Sequence, residues 1–229
     1  MPFFLYDSTM IWLLPAIALA LYAQLRVSST FKKYAQVATA RGKSGAEVAA
    51  ELLQRRGISD VKIEPVAGML SDHYDPRTKT LRLSPQVYSS TSVAAIGVAA
   101  HETGHALQHQ EAYAPMALRS AIVPVAQIGT TAAWILFLLG LVLRTPALMD
   151  IGILLFLGYV LFALVTLPVE FNASSRAVAV LQGEGLVLPQ EAAGVRAVLN
   201  AAALTYVAAA AMAILQLVRL LVLRNSRDD

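Results

Sequence analysis

Residues 122–143 contain no charged side chain, and residues 148–167 contain none beyond Asp150 near their start. About twenty consecutive apolar residues, wound as a helix, cross the ~30 Å hydrocarbon layer of a bilayer. Backbone groups in lipid must be satisfied within the segment itself, which leaves helix as the conformation for such runs. Two more apolar stretches accompany them. Residues 10–25 are short, and Phe3, Phe4 and Leu5 extend them past Asp7. Residues 201–223 carry Gln216 and Arg219, which predicts a helix partly packed on protein or tilted toward an interface. The expectation is a mainly α, polytopic membrane protein with about four transmembrane helices. A composition of 57% hydrophobic and 14% charged residues fits that class and not an ordinary soluble domain.

The net charge of +3 is spread among residues that flank the apolar runs, a distribution suited to lipid headgroups and not to nucleic acid. With no cysteine, disulfide frameworks and thiolate metal sites are excluded. The segment before the first apolar run holds Asp7 and no Lys or Arg, unlike a cleaved signal. Arg26, Lys32, Lys33, Arg41 and Lys43 come after it. The positive-inside rule then predicts an uncleaved anchor with its N-terminus outside and the following region in the cytoplasm.

Five segments are expected: an anchor over 1–26, a cytoplasmic catalytic segment over 27–119, two transmembrane helices over 120–168, a helix over 169–188, and a C-terminal helix with the fourth membrane segment over 189–229. In the polar segment, Ser44 and Glu47 form a capping box for an amphipathic helix that Gly57 ends. Val61, Ile63, residues 69–74 and residues 80–84 predict short strands, with a turn at "DPRTK". A small hairpin or three-stranded sheet follows. Ser92, or Ser90, caps a helix over 93–111. Another helix is expected from near Pro168 to Gln182, and Pro189 opens the last one.

The helix over 93–111 contains "HETGH". His101 and His105 lie one turn apart, about 6 Å along the axis, so both imidazoles reach one tetrahedral zinc. Glu102 is rotated about 100° from His101, beside the metal and not on it, where it can take a proton from zinc-bound water and pass it to a leaving amine. Gly104 leaves room for close packing.

A third protein ligand is still needed. His109 lies about 12 Å along the axis from His101, too far for a metal held at the other end. The longer HExxHxxGxxH pattern fails because Glu111 stands at its last position. His73 and several acids are candidates. Glu170 stands out by topology: two membrane crossings separate it from His105, which returns it to the same face. Asp150 falls on the opposite face. Glu184 and Glu191 pass this test but sit in a turn and at a helix start. A solvated first-turn glutamate is the plain alternative for Glu170.

"SDHYDPRTKTLRLS", "AIGVAAHETGHALQHQEAYAPMALRSAIVPVAQIG" and "LPVEFNASSRA" resemble the bacterial membrane zinc metallopeptidases labelled YugP-like, over nearly the whole chain. The resemblance implies a gluzincin-like α+β catalytic domain and one Zn2+ per chain. His101, His105 and Glu170 would be its ligands, and Glu102 the base. A more distant similarity links the chain to the HtpX and CAAX-prenyl protease metallopeptidases, whose third-ligand helix reads E-F-x-A-D. Here Ser174 replaces that aspartate, which leaves open what orients a zinc-bound histidine.

His73 and Tyr74 are candidates for contact with a developing oxyanion, and their strand for pairing with an extended substrate. Arg176 is a candidate partner for a substrate carboxylate. The leading expectation is a zinc endopeptidase of the bacterial cell membrane, multi-pass, cleaving peptide or membrane-protein substrates at the cytoplasmic surface. Its partners are that substrate and membrane lipid, with no nucleic acid. The alternative is a non-catalytic zinc-binding membrane scaffold, which has no need of Glu102. A transporter would want ionisable groups within its spans.

Overall fold

The computed structural model describes residues 8–226; Phe3, Phe4, Leu5 and Asp7 lie outside the described residues. A 3-10 turn, Ser8–Leu13, leads into α1 (Leu14–Ala35). Then come α2 (Gly45–Arg55), β1 (Lys62–Pro65), β2 (His73–Asp75), β3 (Thr80–Leu83), α3 (Pro85–Tyr88), α4 (Val93–Gln110), α5 (Ala114–Leu143), α6 (Pro146–Gly183) and α7 (Pro189–Asn225). The chain forms two compact units. One comprises Met1–Ala23, Ala117–Pro168 and Thr205–Asp229, the other Gln24–Met116 and Val169–Leu204.

The first unit is helical. Four helical stretches, Ser8–Ala35, Ala126–Leu143, Pro146–Gly183 and Pro189–Asn225, are long and apolar enough to cross a membrane. Large apolar side chains point outward along them, among them Leu21 (62% exposed), Ile128 (75%) and Leu154 (67%). Water penalises the exposure of side chains this large and apolar, whereas lipid tails accept it. Inside, Phe137, Met149 and Phe156 form a core with Ala133 and Ala213. A Cβ on Gly152 would meet the Ala133 carbonyl oxygen at 2.8 Å, so α5 and α6 approach as closely as small residues permit. Arg224 Nε donates to Asp150 Oδ1 at 2.8 Å, and Arg219 Nε to Thr9 Oγ1 at 3.1 Å. The 3-10 turn, the α5–α6 turn and the end of α7 therefore gather at one end of this unit. Gln216 is buried, in keeping with a last helix packed on protein.

The second unit holds the sheet. Ser44 and Glu47 form the expected capping box at the start of α2, and Gly57 follows the helix with φ +69. The strands are ordered β1-β3-β2, with β1 parallel and β2 antiparallel to β3. Asp75 closes the β2–β3 turn by accepting from the Arg77 amide at 3.0 Å and the Thr78 hydroxyl at 2.9 Å. The expected strand over 69–74 is much shorter: β2 starts at His73. Gly68 (φ +109) and Leu70 (φ +54) turn the preceding residues into a loop with left-handed backbone that no strand accommodates. The short α3 was also not expected; its N-cap, Ser84, is held by Asp72 through its amide (2.7 Å) and its hydroxyl (3.0 Å).

The two edges of the sheet differ. Lys62 and Val66 donate their amides to Lys79 and Leu83. Alternation then turns the peptide groups of Ile63 and Pro65 outward, and Pro65 has no N–H to offer. On the other side, Thr80 and Arg82 face β2, which leaves the Tyr74 peptide group on the outer edge.

Helix α4 starts where Ser92 accepts from the Ala95 amide at 3.2 Å. It is the most buried element: Ile96, Ala99 and Ala100 are fully enclosed, in one core with Leu52, Leu81, Leu83, Leu181 and Val195. Glu191 fastens the start of α7, accepting from the amides of Ala40 (2.6 Å) and Leu188 (2.7 Å).

A helix starting near Pro168 was expected; none starts there. Pro168 sits inside α6, which runs unbroken from the apolar stretch to Gly183. The proline removes one backbone donor, but the apolar run before it and the alanine-rich run after it both propagate helix, so the loss is absorbed.

Candidate metal centre

Helix periodicity sets His101 and His105 on one face of α4, with their rings 4.8 Å apart and nearly perpendicular. Glu170 comes from α6 and is 2% exposed. Its Oε2 lies 3.2 Å from His101 Nε2 and 3.6 Å from His105 Nε2. Ligand atoms of these three residues all fall within 4.8 Å of one another, the only such cluster among the described residues. Gly104 makes the approach possible. A Cβ there would meet the Ala173 carbonyl oxygen at 2.8 Å, so glycine lets α4 and α6 touch backbone to backbone.

Each imidazole is held from behind. Ser174 Oγ lies 3.1 Å from His101 Nδ1, and Gln108 Oε1 lies 2.9 Å from His105 Nδ1. Both rings thus turn their Nε2 atoms toward Glu170. Burial works against a charged His105, but the bond to Glu170, the charges of Glu102 and Glu170 and the Gln108 contact outweigh it and raise its pKa. Glu102 is also buried, at 8% exposure, and is not part of the three-residue cluster.

The donor set fits zinc. Four-coordinate zinc with ligands about 2.0–2.1 Å away separates neighbouring donors by roughly 3.3 Å, close to the spacings around Glu170 Oε2. Two imidazoles and a carboxylate are its usual nitrogen and oxygen partners.

The other candidate residues are not in this cluster. His73 is exposed, with Nδ1 2.8 Å from the Ser71 carbonyl oxygen. Tyr74 is buried, and its hydroxyl lies 2.8 Å from His109 Nδ1, two turns of α4 beyond His101. Burial, with the charges of Asp60 and Asp75, pushes its pKa up to about 12. Arg176 Nε donates to Asn172 Oδ1 at 2.7 Å, its Nη1 pairs with Glu111 at 2.6 Å, and its guanidinium lies 5.8 Å from the Tyr113 ring centre.

A family model described as "Putative neutral zinc metallopeptidase" matches residues 9–225. The chain belongs to this zinc metallopeptidase family. It is also similar to a protein of Bacillus subtilis (strain 168) named "Putative membrane protease YugP", with 48% identity over 215 residues, covering 93% of this chain and 96% of the relative. No solved structure matches it. The family implies zinc, and the cluster on α4 and α6 is where this chain offers a set of metal donors. Gln108 was not singled out from the sequence. The available signal was its spacing: a polar residue three positions after His105, on the same face of the helix.

Proposed function

We propose that the chain is a membrane-embedded endopeptidase that hydrolyses peptide bonds at the cytoplasmic face of a bacterial membrane. His101, His105 and Glu170 hold one zinc ion per chain, and Glu102 is the general base. The observation that supports this best is three donor atoms within 4.8 Å of one another beside a buried carboxylate that is not one of them. A structural zinc usually takes four protein ligands, whereas three leave a position open. When bound, the metal supplies Lewis acidity that polarises a carbonyl and acidifies water.

The chemistry balances with one water. Glu102 takes a proton as the water oxygen bonds to the carbonyl carbon. It returns that proton to the amide nitrogen as the C–N bond breaks, giving a carboxylic acid and an amine. An extended substrate pairs with the outer edge of β2 through the Tyr74 peptide group, since Pro65 blunts the edge of β1. The substrate is a peptide or membrane protein, and lipid surrounds the four apolar helices. The N-terminus lies outside, and α4 and Glu170 serve the cytoplasmic side.

Metal analysis of detergent-purified protein, paired with a peptidase assay, tests the reading. Wild type and Glu102→Gln should each hold one zinc, because the base is not a ligand. Cleavage should fall by a factor of roughly a hundred or more in the variant. Zinc retained with no cleavage by wild type would instead favour a zinc-binding membrane scaffold. Loss of zinc from Glu102→Gln, with zinc and activity kept by Glu170→Gln, would overturn the assigned roles.

A further inference from the structure

Gln108 is fully buried one turn after His105, and the proposed chemistry does not use it. Its amide makes three contacts, each 2.9 Å long: Oε1 with His105 Nδ1, and Nε2 with both the Val169 carbonyl oxygen and Asn172 Oδ1.

The orientation of this amide follows from Arg176. A guanidinium only donates, so the Asn172 atom that receives Arg176 Nε at 2.7 Å is the amide oxygen. That oxygen requires a donor from Gln108, and so does the Val169 carbonyl. Both N–H groups of Gln108 are then engaged, and only its oxygen remains to face His105. An oxygen at that position requires a hydrogen on Nδ1, which leaves the lone pair of the neutral ring on Nε2, toward Glu170. Val169 directly precedes Glu170 in α6, so the amide that orients one donor also grips the backbone next to another.

We propose that Gln108 is the positioning residue of the metal centre. It sets the His105 tautomer and ties α4 to α6 beside Glu170, with Asn172 and Arg176 holding it in register. The assignment rests on the proposed zinc site.

Two substitutions isolate the contact with His105. Gln108→Leu and Gln108→Glu both remove the donors to Val169 and Asn172, but only the glutamate keeps an oxygen facing Nδ1. Histidine-labelled, metal-free protein at alkaline pH, where imidazole is neutral, reports the tautomer by nitrogen NMR. Zinc affinity is measured by competition with a chelator, and site geometry from the absorption bands of the cobalt-substituted protein. Wild type and Gln108→Glu should show the Nδ1–H form of His105. Gln108→Leu should lose it, bind zinc about 10- to 100-fold more weakly, and shift the cobalt bands.

Arg176 is partly exposed, and Arg176→Met gives a milder test if both buried substitutions unfold: zinc affinity should drop by a smaller amount. An unchanged tautomer with wild-type zinc affinity in Gln108→Leu, or unchanged affinity in Arg176→Met where the others do not fold, would overturn the assignment. Absence of zinc uptake by wild type would instead count against the proposed function. The metal-free tautomer would still decide what Gln108 does to His105.

Discussion

Ser174 Oγ stands 3.1 Å from Nδ1 of His101, on the side of the ring away from Glu170. With Nε2 given to a metal, Nδ1 carries the proton, and a hydroxyl at this point would accept its hydrogen bond without adding charge, where an aspartate would add one. Ser174→Ala should lower zinc affinity by about tenfold, the lower end of the usual effect of removing a partner behind a metal-binding histidine. Ser174→Asp should keep or tighten binding. Chelator competition on folded protein checks both, and equal affinity in Ser174→Ala and wild type would remove the role.

Gly104→Ala forces a Cβ toward the Ala173 carbonyl oxygen, which a glycine alone clears. The expected cost is about 1–3 kcal/mol, typical of overpacking at a tight contact. The shift of α4 against α6 should also move the histidines away from Glu170. A lower melting temperature and a lower zinc content should therefore appear together. Gly158→Ala, where a Cβ meets nothing within 4 Å, is the control and should change neither.

The proposed crossing pattern puts Gln86 inside and Leu148 outside. The chain has no cysteine, so single introduced thiols report on their own positions. Cysteines at Gln86 and Leu148 should be labelled from opposite sides, and one at Ser226 should match Leu148. Arg224 at the outer end runs against the positive-inside rule, but its pairing with Asp150 offsets that charge. Labelling of Gln86 and Leu148 from one side would exclude the topology.

Tyr74 gives a pH dependence whose sign is determined. Its pKa rises from an ordinary value of 10.0 to about 12 in the folded protein. The native state therefore keeps a proton that the unfolded chain loses. The associated stability is complete below pH 10.0 and is lost as the pH climbs to about 12. In thermal melts across that range, Tyr74→Phe should decline less steeply than wild type. Parallel curves would show that the tyrosine proton is not linked to folding.

Local signals were readable wherever a few neighbouring residues decide the outcome. Ser44 and Glu47 cap α2 because the box closes within one turn, and His101 and His105 share a face because four residues make about one turn. Counting two apolar spans singled out Glu170 as a candidate without any knowledge of packing. Outcomes that depend on distant partners were not legible. Pro168 is a separate case: proline is common at the first position of a helix, and that preference outweighed the helix-propagating runs on either side of it. The parallel pairing of β1 with β3 joins residues separated by a loop and a hairpin, and no short pattern encodes it. Gln108 acquires its meaning only from Val169 and Asn172, 61 and 64 positions away.

The interleaving of the two units has a consequence for biosynthesis and for engineering. His101 and Glu170 are 69 positions apart, and the whole α5–α6 turn lies between them. A ribosome delivers both histidines long before their carboxylate partner, so a nascent chain has no three-donor centre until that turn has been made. For the same reason, no water-soluble fragment can be cut from the gene as one continuous piece with the centre complete. A fragment ending at Met116 would have lost Glu170, as well as the acceptors that keep Gln108 in place.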